Sequence, residues 1–141
     1  MGRTATEYAL KRMNSILDDV EDYKILVLGS IHNLPIDYDR IMDWNTPSGD
    51  NVNFMFDEIN SGDWNLIINC CCEHMYPMSE VKLKGVYVLQ SNNYNPGGNI
   101  HINRCLSMTE HIDQIELDLI YYADTATING SQYYTVIGEK N

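Results

Sequence analysis

The residues best suited to chemistry follow apolar runs directly. Glu73 and His74 close the segment Trp64-Asn65-Leu66-Ile67-Ile68-Asn69-Cys70-Cys71-Cys72, an uninterrupted apolar stretch apart from its asparagines. A carboxylate beside an imidazole at the end of a buried strand can do acid–base work or line a polar rim around a ligand. The same pair also reads as an N-terminal helix signal with a satisfied histidine. Gly29 and Ser30 end a second apolar run, and Gln90-Ser91-Asn92-Asn93-Tyr94 ends a third. Asn92, Asn93 and Tyr94 can grip a ligand through amides and a ring. They equally suit a turn, since Asn tolerates left-handed backbone.

Other chemistries lack their spacing. Ser30 has no G-x-S-x-G context, which argues against a serine hydrolase. Cys70, Cys71, Cys72 and Cys105 contain no C-x2-C pair, and three of them are consecutive, so neither a zinc knuckle nor a disulfide framework is expected. They read as free buried thiols in a reducing, cytoplasmic setting. Cys72 as a nucleophile needs a lowered pKa, and the negative field of the chain opposes that. His32, His101 and His111 show no i, i+4 pairing and read as surface histidines rather than metal ligands.

The elements that must position these residues follow from periodicity. Leu10, Met13, Leu17 and Val20, with Ile16 beside them, form one apolar stripe after Thr4-Ala5-Thr6-Glu7, a capping-box spacing. This predicts an amphipathic helix to about Val20, within an N-terminal segment 1–22. Residues 24–28, 64–70 and 85–90 are short continuous apolar runs of the kind buried on both faces of a parallel sheet. A short helix is predicted within 35–44, with Ile36, Ile41 and Trp44 inward, and a strand over 52–56. Ser107-Met108-Thr109-Glu110 starts a short helix through about Ile115. Residues 117–122 and 133–138 are late strands reversed at Asn129-Gly130. The order implies one α/β domain over 1–141, mostly parallel, with an antiparallel C-terminal hairpin. Ligands in such sheets sit at the carboxyl ends of the strands, where Gly29-Ser30, Cys72-Glu73-His74 and Gln90-Ser91-Asn92 fall.

Bulk properties narrow the partners. The chain has 141 residues, 44% hydrophobic and 21% charged, an ordinary globular mixture. Nine basic residues against 20 acidic ones leave a net charge of -11 with no basic cluster. Direct nucleic-acid binding and docking on anionic lipid are therefore not expected. No apolar run approaches a membrane span, and no secretory leader is expected. Met1-Gly2-Arg3-Thr4-Ala5-Thr6 fits the loose myristoylation pattern. Asn129-Gly130-Ser131 fits a glycosylation sequon but reads better as the hairpin turn.

Trp64-Asn65-Leu66-Ile67-Ile68-Asn69-Cys70-Cys71-Cys72-Glu73-His74-Met75 resembles the D-x-V-I-N-T-S-C-E-H-M segment of small class I S-adenosylmethionine-dependent methyltransferase-like proteins. Leu89-Gln90-Ser91-Asn92-Asn93-Tyr94 with His101-Ile102-Asn103 is similar to that group's next strand and loop. Tyr133-Tyr134-Thr135-Val136-Ile137-Gly138 is similar to its closing strand. The resemblance spans roughly residues 52–140. It implies a Rossmann-like, mostly parallel sheet with flanking helices and an antiparallel last strand. It also implies S-adenosylmethionine as cofactor and methyl transfer to an unidentified, small-molecule acceptor. Gly29 and Ser30 would line the cofactor, and Asp43 or Asp57 would hold its ribose. Cys72, Glu73 and His74 would sit beside the transferring methyl, and Gln90 and Asn92 would close the far side.

The front of the chain departs from that pattern. The family's G-x-G-x-G turn is here Leu28-Gly29-Ser30-Ile31-His32, with one glycine, and residues 30–40 are short for a full parallel crossover. A second reading is therefore a catalytically degenerate fold serving protein interaction or assembly, a homo-oligomer among its forms. A third is a nucleoside-binding enzyme on the same sheet that transfers no methyl.

Overall fold

The structure is a computed structural model and describes residues 2–29, 36–42, 55–95, 103 and 105–141. These build an α/β fold with a six-stranded mixed sheet. In chain order the elements are α1 (Gly2–Ile16), β1 (Ile25–Leu28), β2 (Arg40–Met42), α2 (Phe56–Asn60) and β3 (Leu66–Asn69). Then come β4 (Gly85–Asn92), α3 (Met108–Ile115), β5 (Leu119–Ile128) and β6 (Ser131–Lys140). The strand order is β2-β1-β3-β4-β6-β5. The first four run parallel, and β6 enters antiparallel between β4 and β5.

Every residue of β1 and β3 is buried, as their unbroken apolar runs require of strands covered on both faces. Alternation sorts the side chains. Ile25, Val27, Leu66, Ile68, Val86 and Val88 meet Ala9, Leu10 and Met13 of α1 on one face. Leu26, Leu28, Ile67, Tyr87 and Leu89 meet Ile59 of α2, Ile115 of α3 and the methionines 75 and 78 on the other. Burying Leu10 and Met13 contributes about 1.5–3 kcal/mol each.

Several boundaries differ from the sequence expectation. α1 begins at Gly2, so Thr4 lies inside the helix rather than capping it, and it ends at Ile16, not near Val20. Acids follow at the end where the helix dipole disfavours them, and Asp19 (φ 50°) leads with left-handed backbone into the next turn. Leu17 and Val20 still pack on the α1-side core, Val20 from a separate 3-10 turn, Val20–Asp22. The short helix expected within 35–44 is not formed at 40–42, which are strand β2. Leu26, Val27 and Leu28 of β1 pair with these three residues, and that ladder outweighs the weak helical pattern. Phe56, expected to end a strand, opens α2 instead, where it packs against the core beside Ile59. Of those two segments, residues 35, 43–44 and 52–54 lie outside the described residues.

The late elements form as expected, but β5 runs on to Ile128 instead of stopping near 122, and β6 spans Ser131–Lys140. Ser107 caps α3, its hydroxyl accepting from the Glu110 amide at 3.2 Å. Asn129 (φ 52°) and Gly130 (φ 83°) turn β5 into β6, two successive left-handed residues of the tight hairpin type.

Candidate functional site at the carboxyl ends of β3 and β4

Asn69, the last residue of β3, folds the segment that carries Glu73. Its side-chain oxygen accepts from the Cys71 amide at 2.8 Å, and its amide points at the Met75 and Met78 sulfurs, 2.8 and 3.3 Å away. The chain then coils as a 3-10 turn, Cys72–His74, with the His74 amide on the Cys71 carbonyl at 3.0 Å. From the other side the Asn103 amide donates to the Glu73 carbonyl at 2.9 Å. The turn is held at both ends, and Glu73 faces inward with only 4% of its surface exposed.

A buried carboxylate costs free energy unless it is paired. Glu73 is paired only in part. Oε1 lies 3.7 Å from His74 Nε2, within ion-pair range but beyond hydrogen-bond length, while Oε2 has no hydrogen-bond partner among the described residues. Burial pushes the carboxyl up to about 7, against the opposing effects of its own backbone amide and of the Asn92 side chain facing it. The group therefore titrates near neutrality, where it can hold or accept a proton.

Polar side chains and thiols surround it among the described residues. Asn92 ends β4, and its side-chain oxygen takes the Tyr94 amide at 3.0 Å. Tyr133 stands opposite Asn92 in the β4–β6 register. Burial raises its hydroxyl's pKa first, then the charges of Glu73 and Tyr94. Cys105, beside Ser91, also feels the Glu73 charge. Burial pushes Cys70 up to about 12 and Cys72 well above the usual thiol range, with Glu73 adding to both. Neither is a thiolate nucleophile near neutral pH. The sequence reading opposed a thiolate on charge alone, whereas desolvation is the larger cause.

The structure thus brings together Cys72, Glu73, His74 and Asn92, four of the residues singled out by sequence. Gly29 ends β1 with φ 128°, and its amide donates to Met42 at 3.0 Å. A Cβ there would stand 2.9 Å from the Cys71 sulfur, so the missing side chain is accounted for by packing against the turn before Glu73. Gln90 is buried one residue pair back from Asn92. Its amide nitrogen donates to Ala5 of α1 and to Thr135 of β6, both at 3.0 Å. Asp57 is exposed on α2, and no hydrogen bond or ion pair joins it to Glu73. Asn93 bridges to the hairpin, accepting from the Gln132 amide at 2.9 Å. Ser30 and Asp43 lie outside the described residues, as do His32 and His101.

Two features escaped the sequence reading. Tyr133 was expected only as a half-buried strand residue, and its place beside Glu73 depends on the β4–β6 register. His111 was expected on the surface and is 1% exposed instead, its Nε2 3.4 Å from the Leu89 carbonyl and its pKa pushed down to about 4 by burial. Met108, His111, Ile112 and Ile115 make one helical face, a pattern that signals this burial. Among the described residues no cluster of His, Cys, Asp and Glu has the geometry of a metal site. No described helix is long and apolar enough to cross a membrane. No family model and no curated protein sequence matches the chain.

Proposed function

We propose that the chain is a methyltransferase-like enzyme that binds S-adenosylmethionine at the carboxyl ends of its parallel strands and methylates a small molecule. The observation carrying this reading is Glu73, a carboxylate buried at the sheet's carboxyl end with one oxygen unpartnered. A ligand donor is what that oxygen lacks. The four parallel strands and the antiparallel hairpin support the Rossmann-like arrangement that the resemblance implies. When bound, S-adenosylmethionine supplies an electrophilic methyl group on a sulfonium.

The residues present fit such a ligand at Glu73 and Asn92, where an unsatisfied acceptor faces an amide. Glu73 and Asn92 would hold it, and His74, a quarter exposed, would stand at the rim. Glu73 Oε2 can take a proton from an acceptor as it loses one. Methyl transfer otherwise asks mainly for in-line positioning, which the doubly anchored turn at Cys72–His74 provides. Gln90 supports the site through α1 rather than through ligand contact.

Calorimetric titration with S-adenosylmethionine and S-adenosylhomocysteine tests this. Micromolar binding, weakened at least roughly tenfold in Glu73→Ala, is expected; tenfold corresponds to about 1.4 kcal/mol, the scale of one charge-assisted hydrogen bond. No binding at millimolar ligand by a folded protein overturns the reading. The assembly module then becomes the better account. It is favoured by Leu119, Ile120 and Tyr121, three exposed apolar residues on edge strand β5, and sedimentation analysis would show the oligomer.

A further inference from the structure

Among the described residues, His74 alone offers Glu73 a cationic partner, and only when its ring is protonated. The chain carries nine lysines and arginines, and among the described residues none pairs with this carboxylate. The titratable groups around it are His74, Cys70 and Cys72 on its own segment, Tyr94 beyond β4, Tyr133 on β6, and Cys105 with Glu110 on the α3 side. Apart from His74 they are phenols, one further acid, and thiols that burial keeps protonated. Ionising Glu73 there without a charged partner is unfavourable. A neutral hydroxyl would satisfy one lone pair and leave the carboxyl protonated. A cationic nitrogen would satisfy the lone pair and favour the ionised form as well.

We propose that Glu73 receives an ammonium group of the ligand that enters at the carboxyl ends of β3 and β4, and that this group displaces the carboxyl proton into solvent. The exchange balances. The carboxylic acid and the free ammonium become a carboxylate–ammonium pair and one released proton, with no bond to nitrogen made or broken. The inference rests on a ligand entering at this end of the sheet, but not on that ligand donating a methyl. The ammonium has two sources: the amino-acid end of the methyl donor, or an amine acceptor.

The test counts protons. S-adenosylhomocysteine, which carries an ammonium, and 5′-methylthioadenosine, which does not, are titrated calorimetrically at pH 6.5 in buffers of different ionisation enthalpy. Spermidine serves as the amine probe, alone and after each nucleoside. Release of roughly 0.5–1 proton per ligand is expected, fading by pH 8.5, because the carboxyl is then already ionised. Glu73→Gln, checked for folding by circular dichroism, should release none. Release with S-adenosylhomocysteine but not methylthioadenosine assigns the ammonium to the methyl donor. Release only on adding spermidine assigns it to the acceptor. If neither nucleoside binds and spermidine alone releases the proton, the cation receptor stands and the methyltransferase reading falls. Binding without proton release in every arm overturns the proposal, as does release that persists in Glu73→Gln, or no binding of any probe.

Discussion

The Gln90 side-chain amide donates to the Ala5 carbonyl oxygen at 3.0 Å, joining residues 85 positions apart in the chain. The same nitrogen reaches Thr135 on β6. One buried amide thus ties α1, β4 and β6 together just behind the Glu73 turn. Gln90→Ala removes both buried hydrogen bonds, and a loss of about 1–3 kcal/mol in urea unfolding is expected. Ligand affinity measured well below the unfolding transition should change less than threefold. A large affinity loss in a stable variant would return Gln90 to the binding surface.

Glu73 and His111 set opposite pH dependences. The Glu73 carboxyl is raised from 4.5 to about 7, so the folded state holds its proton longer than the unfolded state. Its contribution is fully present below pH 4.5 and is lost as pH rises through 7. Glu73→Gln removes the ionisable group and should stabilise the fold by up to about 3 kcal/mol at pH 8, with almost no effect at pH 4.5. Equal melting shifts at both pH values would refute a buried titrating carboxyl.

His111 runs the other way. Its pKa falls from 6.5 to about 4 on folding. The neutral ring is favoured, and stability is lost as pH falls from 6.5 through 4. His111→Leu should remove a loss of up to about 3 kcal/mol over that window, leaving a protein that melts higher at pH 4 relative to the wild type than at pH 7.5. Between pH 4.5 and 6.5 the two residues offset each other in the wild type. Each single variant should therefore expose the slope of the other, which thermal scans across pH will show.

Gly29 is constrained twice, by φ 128° and by the Cys71 sulfur where a Cβ would go. Gly29→Ala is expected to cost about 1–3 kcal/mol from backbone strain alone, with the close contact added. Cys71→Ala in the same chain should recover only the contact share, since the strain belongs to the backbone. A double-mutant cycle in urea separates the two. Full recovery would show that the backbone at residue 29 relaxes.

What could be read ahead of the structure was whatever depends on neighbours in sequence. The runs 24–28, 64–70 and 85–90 declared β1, β3 and β4 because a strand buried on both faces needs no alternation. Asn129-Gly130 declared the hairpin because two left-handed residues suit that turn. The site followed from one topological rule, that polar residues after such strands gather at their carboxyl ends, and Glu73, His74 and Asn92 do gather. β2 was missed because three residues are too few for a period and their strand character comes from pairing with β1. Tyr133 was missed because its position opposite Asn92 is set by register between strands over 40 residues apart. The burial of His111 is legible only from the whole α3 face, where Met108, Ile112 and Ile115 recur at helical spacing beside it.

The insertion of β6 between β4 and β5 has a consequence for how the chain acquires its fold during synthesis. β5 leaves the ribosome before β6, yet among the described residues β6 is its only sheet neighbour. The long edge of β4 also waits for the same strand, residue for residue from Gly85 to Asn92. Until residues 131–140 emerge, β4 and β5 each expose an edge that β6 later pairs, and each is able to pair with another copy. Docking of β6 thus closes both of these edges in one event, and before it both are open to aggregation.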